Sequence, residues 1–263
     1  MTSVFENVQV VMVNPSHGGN VGSAARAMKT MGMQNLVLVS PDNFPSELAT
    51  ARASGATDIL DNVRVVDRFE EAVGDCRLVI GTSGRMRRIP WPLMDARTCG
   101  EVVAQEASQG KVAIVFGREA RGLTNEELHQ CHYHVHIPGN PEYSVLNISA
   151  AIQVLMYEIR MAVCGSESNG SESDGAQDEG VDDKGPVIPM DWVRWDAELA
   201  PHQAVADCVD HSLRVLEAVE YYNPKEPRQT KARLQRLVQR LRLDASEVQL
   251  LRGMLSAAEK AVK

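Results

Sequence analysis

"VQVVMVNPSHGGNVGSAARAMKTMG" occupies residues 8–32. The valine-rich run Val8–Val13 reads as a strand and Gly22–Met31 as a helix, with a glycine-containing turn between them. Strand, turn and helix in this order form the building unit of α/β sheets. The same corner is where such sheets cradle phosphates. The dinucleotide fingerprint GxGxxG is incomplete here, because His17 stands where its first glycine is required. No GK[ST] follows, so a Walker loop is excluded. Asp42 lies about 20 residues on, where a ribose-binding acid is expected, but it follows Pro41 in a loop. The glycines therefore read as a tight turn with close helix packing. Arg26, four residues after Gly22, falls on the Gly22 face and points back toward the loop. A guanidinium there suits a phosphate or a developing oxyanion; the alternative is an ordinary surface arginine.

Further valine- and isoleucine-rich runs follow at residues 35–40, 78–83, 112–117 and 134–138. Most are continuously apolar, as strands covered on both faces are. Helical patterns separate them at Phe69–Val73, Asp95–Ala107, Asn125–Leu128 and Leu146–Val163, and Thr124 with Glu127 fits a capping box. The fold class is α/β with a mostly parallel sheet. Ligands in such sheets sit beyond the carboxyl ends of strands. The loops after Val13, Ile80, Phe116 and Ile137 are therefore the ones to read for function.

The formal net charge of −8 argues at first against nucleic acid. Residues 165–185, "GSESNGSESDGAQDEGVDDKG", hold seven acids and one lysine, which leaves the rest of the chain near −2. Almost nothing in that segment is apolar, so it cannot offset its ordering entropy by burial and reads as a linker. The organisation expected is a body over residues 1–164, an acidic flexible linker over 165–188 and an all-helical C-terminal extension over 189–263. Two basic stretches, "RMRR" at 85–88 and the arginine-rich run at 224–242, are local patches suited to RNA. In the second, Leu234, Leu237, Val238 and Leu241 repeat at helical spacing, with Arg233, Arg236 and Arg240 among them. A further amphipathic helix is expected over residues 246–262. Arg85, Arg87 and Arg88 with Trp91 suit phosphate contact and base stacking; the alternative is a solvated loop with Trp91 packed into the body.

Five cysteines without a CxxC pair suit reduced thiols. The first residues show no signal peptide and no apolar run approaches spanning length, so a cytoplasmic protein is expected. "CHYHVHIP" places His132, His134 and His136 at alternate positions. A flat row on one strand is poorly spaced for tetrahedral zinc, so no metal is expected and these residues read as a partly exposed strand face.

Three stretches together carry more than any one alone: Asn20-x-Gly22-x-x-x-Arg26, "FGREARGLTNEEL" at 116–128 and "IPGNPEYSVLNISAA" at 137–151. In this order they resemble the three motifs of the SPOUT methyltransferases, and most closely those of the TrmJ group of tRNA ribose 2′-O-methyltransferases. The resemblance covers the body, and the linker and helical tail suit the group's layout. It implies a C-terminal trefoil knot, S-adenosylmethionine as cofactor, tRNA as substrate and a homodimer with its active site at the interface. It further implies nucleotide 32 of the anticodon loop as the target, with cytidine and uridine accepted. The cofactor pocket it implies comprises Thr82, Ser83, Gly84, Gly117, Ile137, Ser144, Val145 and Leu146. Ribose methyltransferases of this class place serine directly before the Leu-Asn of the third motif. Here Val145 holds that position and Ser144 lies one residue earlier, so a role for the serine hydroxyl is in doubt.

The catalytic residues implied are Arg26, Glu119, Asn147 and Asn20. Guanidinium stays protonated in proteins, so Arg26 reads as a clamp for phosphate and developing alkoxide rather than a base. Glu119 or water would take the proton, or Glu119 would be a structural carboxylate gripping backbone amides or Asn20. The alternatives are a 2′-O-methyltransferase for another tRNA position or rRNA, and a non-catalytic RNA-binding protein of the same fold.

Overall fold

The computed structural model describes residues 4–83, 91–140, 142, 145–168 and 197–262. Seven strands form one sheet: β1 (Val8–Val13), β2 (Asn35–Val39), β3 (Arg64–Val66), β4 (Leu78–Thr82), β5 (Leu93–Met94), β6 (Val112–Phe116) and β7 (Tyr133–Val135). Their order is β3-β2-β1-β6-β4-β7-β5, and every pairing is parallel. In register, Val10 lies between Leu36 and Ile114.

The alternation of side chains along the strands divides the core in two. Val8, Val10 and Met12 join Leu36, Leu38, Ile80 and Ile114 on one face of the sheet. Val11 and Val13 join Val37, Val79 and Val115 on the other. Helices α1 (Gly18–Thr30), α5 (Ala96–Ala107) and α7 (Ile148–Ser168) cover the first face, and α4 (Phe69–Val73) and α6 (Asn125–His129) cover the second. The capping box at Thr124 and Glu127 is formed.

Helix α1 begins at Gly18, four residues before the expected start. Its glycines are therefore helical rather than a loop around a ligand. A Cβ on Gly22 would lie 2.0 Å from the Ala49 carbonyl oxygen, so Gly22 lets α1 approach α2 (Glu47–Ala53) closely. That helix, together with α3 (Thr57–Asp61), β3 and β5, was not anticipated. All four are short, and β3 is mostly exposed, so neither period nor apolar run marks them.

Helix α7 is long and apolar enough to cross a membrane by composition, with mean hydropathy 1.3 over Ile148–Gly165. It packs along α5 and α1 in this fold. It also continues to Ser168, so the first four residues of the expected linker are helical, and the remainder, 169–188, lies outside the described residues.

The tail forms α8 (His202–Ala218), α9 (Thr230–Leu241) and α10 (Ala245–Val262) around its own small core of Val205, Val209, Leu213, Val238 and Val248. It docks on the body through polar groups. His202 donates its amide to the Cys76 carbonyl at 3.1 Å, and both His202 Nε2 (2.7 Å) and Gln239 Nε2 (3.1 Å) meet the Gln130 carbonyl. Buried Glu106 pairs with Arg77 of the body at 2.7 Å and with Arg242 of the tail at 3.1 Å. Arg77, Glu106 and Gln130 all precede strands, so the tail sits at the amino ends of β4, β6 and β7.

The histidine row is corrected by this packing. His132 and His134 are 3% and 5% exposed, not a solvated strand face. His132 Nδ1 accepts the Val79 amide at 3.0 Å, stitching β7 to β4, and its ring meets His202 edge-on. His134 Nε2 contacts the Leu128 carbonyl at 3.0 Å.

Candidate active site

A cavity of about 240 Å³ opens at the carboxyl ends of β4, β6 and β7, where parallel sheets place their ligands. Its walls come from three loops. Thr82 and Ser83 stand at the end of β4, Gly117–Leu123 follow β6, and His136, Ile137 and Val145–Ile148 follow β7. Gly84 and Ser144 lie outside the described residues, as do Arg85, Arg87 and Arg88.

Thr82, Ser83, Gly117, Ile137, Val145 and Leu146 thus meet at one cavity. Val145 and Leu146 are 60% and 44% exposed, an apolar shelf left open to solvent. The Thr82 hydroxyl donates to the Val115 carbonyl at 3.0 Å, so it braces the strand end. Gly117 is required by the loop itself. A Cβ there would lie 2.1 Å from both the Gly122 carbonyl carbon and the Leu123 nitrogen. The loop closes through paired hydrogen bonds between Arg118 and Gly122, with Gly122 at φ +68°. Polar lining residues that had not been assigned to the site include Arg118, Arg121, exposed at the loop tip, and His136, whose Nδ1 lies 3.1 Å from the Ser83 carbonyl. Arg121 had no spacing signal, and His136 was absorbed into the histidine row.

The three motifs are joined by side chains. Asn20 Nδ2 donates to Glu119 Oε1 at 2.9 Å, and Asn147 Nδ2 donates to Asn20 Oδ1 at 3.1 Å. Glu119 also accepts the Ser16 amide (3.2 Å), the Ser16 hydroxyl (3.0 Å) and the His17 amide (3.3 Å). Helix α1 has no acid in its first turn and no side-chain cap of its own. Glu119 supplies both from another loop, placing a negative charge at the positive end of the helix. Partial burial opposes ionisation of Glu119, but the bonds from Asn20, its own backbone and Ser16 outweigh it and hold the carboxyl below its ordinary value. A carboxylate so engaged is a poor proton acceptor.

The expected geometry of Arg26 is corrected. The Gly22 side of α1 is covered by α2, whereas Arg26 is exposed. Four residues advance an α-helix by one turn and about 40°, enough to carry Arg26 clear of α2. Arg26 is not part of the cavity lining, and its guanidinium has no hydrogen bond or ion pair among the described residues.

Trp91 is likewise corrected. It is 8% exposed, donates its indole N–H to the Cys131 carbonyl at 2.9 Å and stacks on the rings of His129 and His134. Buried in this way, the ring is not open to a base. Among the described residues, no group of three or more His, Cys, Asp or Glu could hold a metal ion.

Comparisons with known proteins agree with this geometry. The SpoU rRNA methylase family matches residues 7–157, and the TrmJ C-terminal domain matches residues 203–263. A Pseudomonas aeruginosa protein named tRNA (cytidine/uridine/adenosine-2′-O-)-methyltransferase TrmJ is 44% identical over 265 residues, covering 99% of this chain and 96% of its own. The Klebsiella pneumoniae tRNA (cytidine/uridine-2′-O-)-methyltransferase TrmJ is 42% identical over 263 residues, covering 99% of both. The crystal structure of TrmJ from Z. mobilis ZM4 superposes with a TM-score of 0.77 at 28% identity, covering 95% of this chain and 98% of that one. The chain belongs to the SpoU methylase family and, over its whole length, to that family's TrmJ group of ribose 2′-O-methyltransferases.

Proposed function

We propose that this enzyme methylates the ribose 2′-oxygen of nucleotide 32 in the tRNA anticodon loop, with S-adenosylmethionine as donor and cytidine and uridine as targets. The observation that supports it most directly is the Asn147–Asn20–Glu119 chain, which ties all three motifs to the rim of one cavity. The named activities of the Pseudomonas and Klebsiella relatives support tRNA and the two pyrimidines, and the first adds adenosine. Position 32 rests on the resemblance of the body to the TrmJ group.

The residues present fit the cofactor. An exposed apolar shelf at Val145 and Leu146, facing a loop kept thin by Gly117, suits a flat adenine with backbone hydrogen-bonding groups nearby. Thr82, Ser83, Gly117, Ile137, Val145 and Leu146 would hold it. When bound, S-adenosylmethionine supplies the electrophilic methyl group of its sulfonium. Arg26 holds the phosphate beside the target ribose and stabilises negative charge growing on the 2′-oxygen. Glu119 anchors α1 and the two asparagines, and the proton leaves to water. Much of the acceleration then comes from holding two reactants in line.

We further infer a homodimer built on α7, where Tyr157 and Met161, four residues apart and so on one side of the helix, are 48% and 49% exposed. The trefoil knot follows from the family likeness and suits the sheet order. Exposed Arg233 and Arg240, with Arg236, give α9 a basic face that grips RNA backbone, and a tRNA substrate places the enzyme in the cytoplasm.

Unmodified tRNA transcripts methylated in vitro with labelled S-adenosylmethionine test the whole reading. Mass spectrometry of nuclease fragments should place the methyl group on the nucleotide-32 ribose. A methyl group at another position, or on a base, would overturn it.

A further inference from the structure

Arg118 and Glu119 are consecutive, and they grip opposite ends of the same loop. Glu119 holds the end of the β1–α1 connection at Ser16, His17 and Asn20. Arg118 holds its beginning, where Nη2 donates to Asn14 Oδ1. Asn14 is in the left-handed region at φ 45°, which asparagine tolerates better than most residues. Its amide donates to the Val39 carbonyl at 2.8 Å and its Nδ2 to the Ser40 carbonyl at 3.0 Å. Asn14 is thus tied to Val39, Ser40 and Arg118, and the next residue, Pro15, accepts the Asp42 amide on its carbonyl at 3.1 Å.

The guanidinium is itself fixed. Nη1 and Nη2 each lie 3.0 Å from an oxygen of Glu127, a two-point pairing that sets the plane of the fork. Glu127 accepts the Thr124 amide at 2.7 Å in the capping box of α6. The loop that carries Arg118 is closed on itself by the Arg118–Gly122 bonds and packed without slack at Gly117. A rigid loop on the cavity wall therefore presents two side chains as a pair of jaws around the first loop. Arg26 has no side-chain partner of its own among the described residues, so α1 alone determines where it stands.

We propose that Arg118 is a positioning residue for methyl transfer: with Glu119 it fixes the β1–α1 loop at both ends, so that α1 presents Arg26 in register with the cavity. The proposal rests on the reading of Arg26 given above. A lysine cannot replace the fork, because a point charge reaches one carboxylate oxygen or Asn14 but does not fix their mutual angle.

The test is a double-mutant cycle on single-turnover rates with saturating S-adenosylmethionine and tRNA. Arg118→Ala should slow methyl transfer about a hundredfold, the order expected from a misplacement of about 1 Å, with little change in KM for tRNA. Arg118→Lys should not restore the rate. The Arg26→Ala/Arg118→Ala enzyme should be no slower than Arg26→Ala alone. Independent, multiplying effects, or full rescue by lysine, would overturn the proposal while leaving the Arg26 reading intact. An Arg26→Ala enzyme as fast as wild type would sink that reading first. If Arg118→Ala does not fold, Glu127→Gln keeps the capping-box hydrogen bonds and must show the same non-additivity with Arg26→Ala.

Discussion

Asn20 Nδ2 and Glu119 Oε1 meet at 2.9 Å across 99 residues of sequence. One residue belongs to the first turn of α1, the other to the loop after β6, and neither helix nor loop supplies the partner locally. The contact makes the first helix of the body dependent on the second motif for its N-terminal charge.

Arg26→Ala is expected to lower the single-turnover methylation rate about a hundred- to a thousandfold, the usual loss on removing one preorganised donor. Cofactor affinity should stay close to wild type, because Arg26 is not part of the cavity lining. Arg26→Lys should restore little. Rapid-quench measurement together with calorimetric titration of the cofactor separates the two quantities. An equal loss in both would show that Arg26 serves the cofactor rather than the RNA.

Glu119→Gln is expected to destabilise the body by about 1 kcal/mol, through loss of a charge at a helix N-terminus and of charge-assisted hydrogen bonds. The folded-state value of Glu119 is below its ordinary 4.5, so its stabilisation is full above about pH 4.5 and is lost as pH falls through the depressed value. Urea unfolding of wild type and variant should therefore diverge at neutral pH and converge in acid. A constant difference across pH would assign the loss to shape rather than charge.

Gly117→Ala should abolish measurable cofactor binding while leaving the sheet folded. The added methyl group meets backbone on both sides, at 2.1 Å from Gly122 and Leu123, so the loop rather than a side chain has to move. Circular dichroism and cofactor titration on the same sample test this. Normal affinity in a folded variant would show that the loop yields at no cost.

The body–tail junction should loosen below about pH 6.5. Burial first, then Arg242 and His202, keep His132 well below its ordinary value, and burial lowers His202 against the opposing pull of the Gln130 carbonyl and Glu70. Glu70, Cys76, Arg77, Glu106, Arg242 and Tyr133 also face this junction. Both histidines stay neutral when docked and take up protons when exposed. Docking stability is therefore complete above pH 6.5 and falls as pH drops toward the depressed values. Limited proteolysis between body and tail at pH 7.5 and pH 5.5 measures it. Equal cleavage rates at the two values would count against a titrating junction.

Central strands and motif order were legible because they leave dense local signals: valine runs at β1, β2 and β6, and three loop motifs in sequence. The parts that were not legible depend on partners far along the chain. Helix α1 starts at Gly18 because Glu119 caps it, and no residue near Gly18 announces that. Trp91 beside three arginines looked like a base-stacking platform, whereas His129 and His134 come from segments some 40 residues away and stack on it. His132 and His134 were read as a partly exposed face because their covers are remote: His202 of α8, 70 residues later, meets His132, and Trp91, some 40 residues earlier, stacks on His134. Arg26 at i+4 from Gly22 was placed on the glycine face because α2, short and without a clear period, was not foreseen.

The tail meets the body at the amino ends of β4, β6 and β7, and the cavity opens at their carboxyl ends. The two attachments share strands but no surface. A graft is then possible in either direction: a tail from a relative with a different basic face, joined through Arg242 to Glu106, would change which RNA is retained without altering a single wall of the methyl-transfer cavity. In the function proposed above, RNA retention and methyl transfer are separable cassettes, divided by the length of the strands they share.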